Sequence, residues 1–209
     1  VTLLHLGEDG VDGIECINIG PGKKTSLVYK AIAATNLLLR RYDAFYWRQP
    51  HLQRILAAQL PNDFDVIVAN DLNSLLLAIR LKSVDTRLVF DAHEYSTREL
   101  ESTWWWKLLF QPNLVQVLEK HGPKIDASMT VCQGLADEYR CEFGLNPAVV
   151  YNAPPFHAFN ARPTSPEKIR LVHHGIPVRE RRIELMIEMM RFLDKRFSLD
   201  FYLMDSDSV

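Results

Sequence analysis

Short apolar runs alternate with helix-forming stretches along this chain, and that rhythm limits the folds open to it. Asp65-Val-Ile-Val-Ala69 is a strand-length run ending in Asn70-Asp71, and it precedes a helical stretch from Leu72 to Leu81. Arg87 to Asp91 is the next strand. A long helical region from Arg98 to about Lys120 follows it, with a break expected near Pro112. Ala127 to Val131 is a third strand, Gly134 to Phe143 a helix closed by Gly144, and Ala148 to Tyr151 a fourth strand. Strands this short and this continuously apolar belong to parallel sheets, which are covered on both faces. Strand, helix and strand in strict succession make βαβ units, so the fold class is α/β with a Rossmann-like parallel sheet and helices on both faces.

Upstream, Val1 to Leu6 and Ile14 to Ile19 read as strands separated by the turn-rich Gly7 to Gly10, and Gly20-Pro-Gly22 then breaks the pattern. Leu27, Ala31, Ala34 and Leu38 recur at helical spacing, which predicts a helix over Thr25 to Arg41. A second helix is expected from His51 to Leu60, entered through Pro50 and stopped by Pro61. Val1 already lies in a strand-like run, so the chain is expected to begin part-way into its domain.

Residues 152–167 differ in kind. Pro154, Pro155, Pro163 and Pro166 stand there without periodicity, the composition of a linker. Beyond it come a strand from Ile169 to His173, a helix from Arg179 to about Arg196 and a strand from Leu199 to Leu203. Ile183, Met186, Ile187, Met190 and Leu193 share one face of that helix. Three elements of roughly 45 residues cannot close a core of their own. The expected organisation is a domain over 1–151, a linker over 152–167, and the opening βαβ of a second Rossmann-like domain over 168–209.

Composition excludes several classes. The chain has 209 residues, 47% hydrophobic and 24% charged, with a net charge of −2 and a pI near 6.4. That balance carries no nucleic-acid footprint. Cys16, Cys132 and Cys141 are too few and too scattered for a disulfide framework or a zinc site, and a reduced, cytosolic setting suits them. No apolar run approaches the ~18 residues that span a bilayer, and no signal peptide is evident.

The chemistry gathers where strands end. Arg87 to Asp91 empties into Asp91, His93 and Glu94, and the preceding strand ends in Asn70-Asp71. In an open parallel sheet the carboxyl ends of the strands face the ligand crevice. Carboxylates accept from sugar hydroxyls and an imidazole donates or accepts, so the patch suits a hydroxyl-rich ligand. Asp71 has a second reading as N-cap of the helix starting at Leu72.

A second constellation runs from Arg170 to Arg182. A strand meets Gly175, and then Arg179, Arg181 and Arg182 crowd a helix start. Glycine permits close backbone approach, and arginines bind phosphate bidentately. The competing reading is a solvated turn with Glu180 and Glu184 as partners.

Trp104, Trp105 and Trp106 are consecutive on a helix, ~100° apart, so at least one is expected to be exposed. Beside Lys107 that suits a membrane interface or a partner surface. His93, His121, His173 and His174 lack the spacing of a metal site. His173 is expected to pack in its strand and His174 to reach the cleft. Cys132 has no histidine beside it in sequence and carries little weight as a nucleophile.

Together these pieces resemble the family 4 (group 1) glycosyltransferases of the two-domain GT-B fold. Val1 to Gly7 and Asp12 to Ile17 look like the second and third strands of that family's N-terminal domain. Asn70-Asp71 with its leucine-rich helix resembles a strand-end His-Asp, with Asn70 in place of the usual histidine. Val89-Phe-Asp-Ala-His-Glu94 matches closely. Ile125 to Val131 with Leu135-Ala136, and the Asn152-Ala-Pro154 crossing, have counterparts too. His174-Gly175 through Glu184 resembles the loop that holds the donor diphosphate.

The resemblance implies transfer of a sugar, with retention, from a nucleotide-sugar donor to a hydroxyl on a glycan or lipid-linked acceptor, in polysaccharide or glycolipid assembly. No cofactor or metal is implied. His93, Glu94 and Asp71 would be catalytic, Gly175, Arg181 and Arg179 would grip the donor diphosphate, and Asn152 and His174 would line the cleft. The cysteine usage and the tryptophan helix lead to the expectation of a cytoplasmic protein with peripheral membrane contact through Trp104, Trp105 and Trp106.

Departures stand beside these matches. Arg182 replaces a usual glycine and Ile176 a common arginine, which leaves Arg181 as the main phosphate grip. The family's first strand and its paired-glutamate segment find no counterpart in the sequence, so an inactive internal fragment is expected. Two other functions fit the same residues: a non-catalytic sugar-binding or membrane-docking module, and a nucleotide-sugar epimerase of the same fold.

Overall fold

A computed structural model of the chain describes residues 2–5, 12–13, 15–18, 26–57, 60, 63–160, 162–177 and 181–204. It divides into two compact units, Val1–Ala153 and Pro154–Val209.

In the first unit β1 (Thr2–His5) and β2 (Glu15–Asn18) pair in parallel as a two-stranded sheet. Three helices follow, α1 (Leu27–Leu38), α2 (Tyr42–Trp47) and α3 (Pro50–Ala57). Then β3 (Val66–Asn70), α4 (Leu72–Leu81), β4 (Arg87–Ala92), α5 (Trp104–Leu109), α6 (Gln111–His121), β5 (Ala127–Thr130), α7 (Gln133–Phe143) and β6 (Ala148–Val149) complete the unit. The last four strands form one parallel sheet in the order β3-β4-β5-β6, each crossover carried by a helix.

The core follows from two periodicities. Alternate residues of β4, Leu88, Phe90 and Ala92, are fully buried. Leu72, Leu75, Leu76 and Ala78 of α4 recur three and four apart and join them. The Phe90 ring meets Tyr139 of α7 edge-on at 6.1 Å. Polar ties fix the helices: Tyr46 Oη donates to the Asn73 carbonyl (2.7 Å) and Asn113 Nδ2 to the Leu37 carbonyl (3.1 Å). At the amino end of the sheet Asp126 meets Lys82 Nζ at 2.5 Å and accepts the Leu88 N–H at 2.7 Å. Those bonds hold its carboxyl below the usual range.

Several elements depart from their expected bounds. The helix expected through Arg41 stops at Leu38, because Arg40 turns at φ 56°. That turn lets α2 bury Tyr42 and Tyr46. The region after Arg98 is a series of turns until α5, and the helices part at Phe110. Pro112 sits in the first turn of α6, where its missing N–H costs nothing. Gly144 ends α7 in the left-handed conformation, φ 67°, as expected. One face is more open than expected: Val66 and Val68 on the edge strand β3 are half exposed. The turns at Gly7–Gly10 and Gly20–Gly22, and the helix stop at Pro61, lie outside the described residues.

The second unit is β7 (Ile169–Gly175), α8 (Ile183–Met189) and β8 (Phe197–Leu203), the strands pairing in parallel through Ile169↔Phe197 to Gly175↔Leu203. Its helix is shorter than expected, preceded by Arg182 at φ 47° and followed by a 3₁₀ turn over Met190–Phe192. None of its described residues is buried. The architecture is thus a Rossmann-like parallel α/β unit followed by a βαβ unit of the same kind, consistent with a GT-B-like scaffold.

Candidate active site at the strand ends

β3 and β4 pair up to Asn70↔Asp91, and the Asp71 N–H extends the ladder to the Asp91 carbonyl at 2.8 Å. Asp71 then turns sharply, φ 58° and ψ 165°, a region that a non-glycine residue rarely enters. Its side chain makes no capping bond to α4. Instead Oδ1 accepts the backbone N–H of His93 at 3.2 Å. The capping reading of Asp71 therefore gives way to a bond between two strand ends.

His93 is held a second time by its own strand. Its Nε2 lies 2.8 Å from Asp91 Oδ2, with the ring half exposed and Asp91 largely covered. The bond to Asp91 chiefly, opposed by slight burial and helped by the charges of Asp91, Asp71 and Glu94, raises the imidazole above its ordinary value. A ring so held presents one nitrogen to a carboxylate and stays half exposed. It can donate a hydrogen bond or carry positive charge toward a ligand.

The loop after His93 is fixed from α7. Tyr139 is fully buried, its hydroxyl donates to the Glu94 carbonyl at 2.8 Å, and it accepts the Ser96 N–H at 3.3 Å. Thr130 Oγ1 donates to the Ala92 carbonyl at 2.7 Å. Further along, Tyr95 Oη donates to Glu142, and Arg98 reaches the same carboxylate at 3.4 Å while stacking over the Tyr95 ring. Next to these residues lies a cavity of about 190 Å3, whose walls include Asp71, Glu94, Ser96 and Glu99.

Asp71 and His93 are thus bonded, and Asp71 and Glu94 share a cavity. The ring of His93 is oriented by Asp91, and its backbone by Asp71. Tyr139, Ser96 and Glu99 were not singled out from the sequence. Tyr139 sits on the apolar face of α7 and reads as core, while Ser96 and Glu99 border a stretch that reads as helix.

In the second unit, Gly175 ends β7 with φ 138°, a conformation that favours glycine. A Cβ there would collide with the Arg181 guanidinium, whose Cζ would lie only 3.3 Å away. The two residues read from sequence as one constellation are therefore in contact. Arg182 stands 3.9 Å from Glu184, both exposed. Arg179 lies outside the described residues. His174 and Asn152 are exposed, and His173 stacks on Phe201 within its sheet at 5.8 Å.

Trp106 is buried, whereas Trp104 is 75% and Trp105 44% exposed beside the exposed Leu108. No helix is long and apolar enough to cross a membrane among the described residues. Compared with known protein families, curated proteins and solved structures, the chain matches none.

Proposed function

We propose that the chain belongs to a retaining glycosyltransferase, which moves a sugar from a nucleotide-sugar donor to a hydroxyl acceptor. The observation that carries this reading is His93, fixed by Asp91 and Asp71 at the carboxyl ends of adjacent parallel strands and surrounded by carboxylates. Ligands of open α/β sheets bind at such strand ends. In this proposal His93 hydrogen-bonds the donor sugar and stabilises charge that develops on it, with Asp91 supporting the imidazolium. Glu94 and Asp71 accept from acceptor hydroxyls. Arg181, lying over Gly175, takes the charge of the departing diphosphate.

The test is turnover of nucleotide-sugars by the full-length protein and by His93→Ala and Arg181→Ala variants. Each variant should lose about 100-fold or more in kcat/KM, the order seen when one charge-stabilising group is removed. Unchanged turnover in both variants would sink the proposal, and epimer formation in place of transfer would favour an epimerase. A peripheral membrane contact belongs to the same proposal, on the exposure of Trp104 and Trp105 beside Lys107. Vesicle sedimentation should weaken in a Trp104→Ala, Trp105→Ala double variant, and no difference would remove that contact.

A further inference from the structure

Two consecutive arginines stand where α1 gives way to α2. Arg40 takes a left-handed turn, φ 56°, where glycine is the usual occupant because a Cβ is strained there. The last turn of α6 brings Lys120 and His121 to the same place. Between them lies a cavity of about 330 Å3, with Arg40, Arg41, Asp43, Gln116, Lys120 and His121 in its walls. α6 leads into β5, which is parallel to β4, so its last turn lies at the amino ends of the strands, away from the ends that carry His93.

The walls carry unbalanced positive charge. Lys120 pairs with Asp43 at 3.2 Å, both exposed. The Arg40 and Arg41 guanidiniums enter no ion pair and no hydrogen bond among the described residues. Cations are favoured at helix C-termini, where carbonyls lack partners. At the end of α1, however, the Asn36 and Leu37 carbonyls are taken by the backbone N–H groups of Arg41 (2.8 Å) and Arg40 (3.1 Å), not by a guanidinium.

A second observation points to a ligand. His121 is 7% exposed, lines the cavity and has no hydrogen-bond partner on either ring nitrogen. Buried polar groups normally have a partner, supplied by protein, water or a ligand. Burial first, then the charges of Lys124 and Lys120, hold the imidazole below its ordinary value, with Asp43 opposing. The ring thus stands in positive surroundings that an anion would offset.

Adjacent arginines offer the paired N–H groups that match phosphate oxygens. At ~30 Å3 per water the cavity has room for roughly eleven, enough for a phosphate with a small organic group attached. We propose that this cavity binds the phosphate group of a small ester, held by Arg40 and Arg41 with Lys120 beside them, and that the imidazole of His121 completes its hydrogen bonds. The site stands whether or not the chain transfers a sugar. A lipid headgroup carries the same group, so the test has two arms.

In one arm, inorganic phosphate and glycerol phosphate are titrated into the full chain while the His121 ring resonances are followed by NMR. In the other, sedimentation is compared on phosphatidylcholine vesicles with and without phosphatidic acid. Saturable movement of the His121 resonances with the soluble anions, absent with chloride at equal ionic strength, is expected. Arg40→Gly and Arg41→Gln should each weaken binding by about tenfold or more, the loss of a charge-assisted hydrogen bond. Glycine adopts φ 56° without strain, so Arg40→Gly keeps the fold, which urea unfolding verifies.

Sedimentation that needs phosphatidic acid and drops in both variants, without a response to the soluble anions, keeps the phosphate site and makes its source a lipid headgroup. No response in either arm, or full responses in both variants, overturns the inference. So does an equal shift with chloride, which marks screening alone.

Discussion

Every buried hydrophobic side chain among the described residues lies between Leu37 and Leu145, whereas β7, α8 and β8 bury none. Both units nevertheless have parallel strands, and the β7–β8 ladder, with seven paired positions, is longer than the five of β3–β4. Backbone pairing is therefore not what separates them. The first unit has helices from several crossovers on its sheet. Among its described residues the second has one short α-helix, with Ile187 57% and Phe192 88% exposed. The contrast reaches the candidate site. His93 stands on strand ends anchored by the buried Tyr139, while the exposed Arg181 lies against Gly175 in a unit that buries none of its described residues.

The largest effect should come from the core. Phe90→Ala is expected to cost the first unit about 3–5 kcal/mol in urea unfolding, whereas Met186→Ala in α8 should change the same transition by less than about 0.5 kcal/mol. Comparable losses from both would erase the distinction between the units.

Next comes the anchor of the loop. Tyr139→Phe keeps the ring but removes the acceptor of the Ser96 N–H and the donor to Glu94, at about 1–3 kcal/mol. Hydrogen exchange should quicken at Ser96, and an unchanged rate there would show that the phenol holds nothing.

A smaller effect separates two glycines. Gly144 has open space around it, so Gly144→Ala meets only its left-handed backbone and should cost about 1–2 kcal/mol. Gly175→Ala should leave the unfolding of the first unit unmoved while displacing Arg181, a shift visible in the arginine side-chain resonances.

The smallest effect is set by pH. Because His93 is raised in the folded chain, its contribution is fully present below the ordinary histidine value of ~6.5 and fades as pH rises through the raised one. NMR titration of His93 should show a raised midpoint that Asp91→Asn returns toward normal. A midpoint indifferent to that change would deny the bond to Asp91.

Much of the fold was legible because its signals are local. The apolar runs of β3 and β4, the leucine spacing of α4 and the glycine closing α7 each announce an element without reference to anything distant. The end of α1 was not legible, since an arginine and not a glycine takes the left-handed turn at residue 40. The same limit applies at the site. Asp71, His93 and Glu94 stand out as polar groups at strand ends. The bond from Tyr139 to Glu94, and the charge of Asp71 felt at Glu99, depend on chain folded from tens of residues away.

β3 has a strand on one side only among the described residues, with Thr2 and Ile17 across an apolar groove of about 480 Å3. Such a margin, carrying two half-exposed valines, is a template on which an extended polypeptide can lay itself. In concentrated solution the chain should self-associate through this margin, and a lysine in place of Val68 should keep the copies apart.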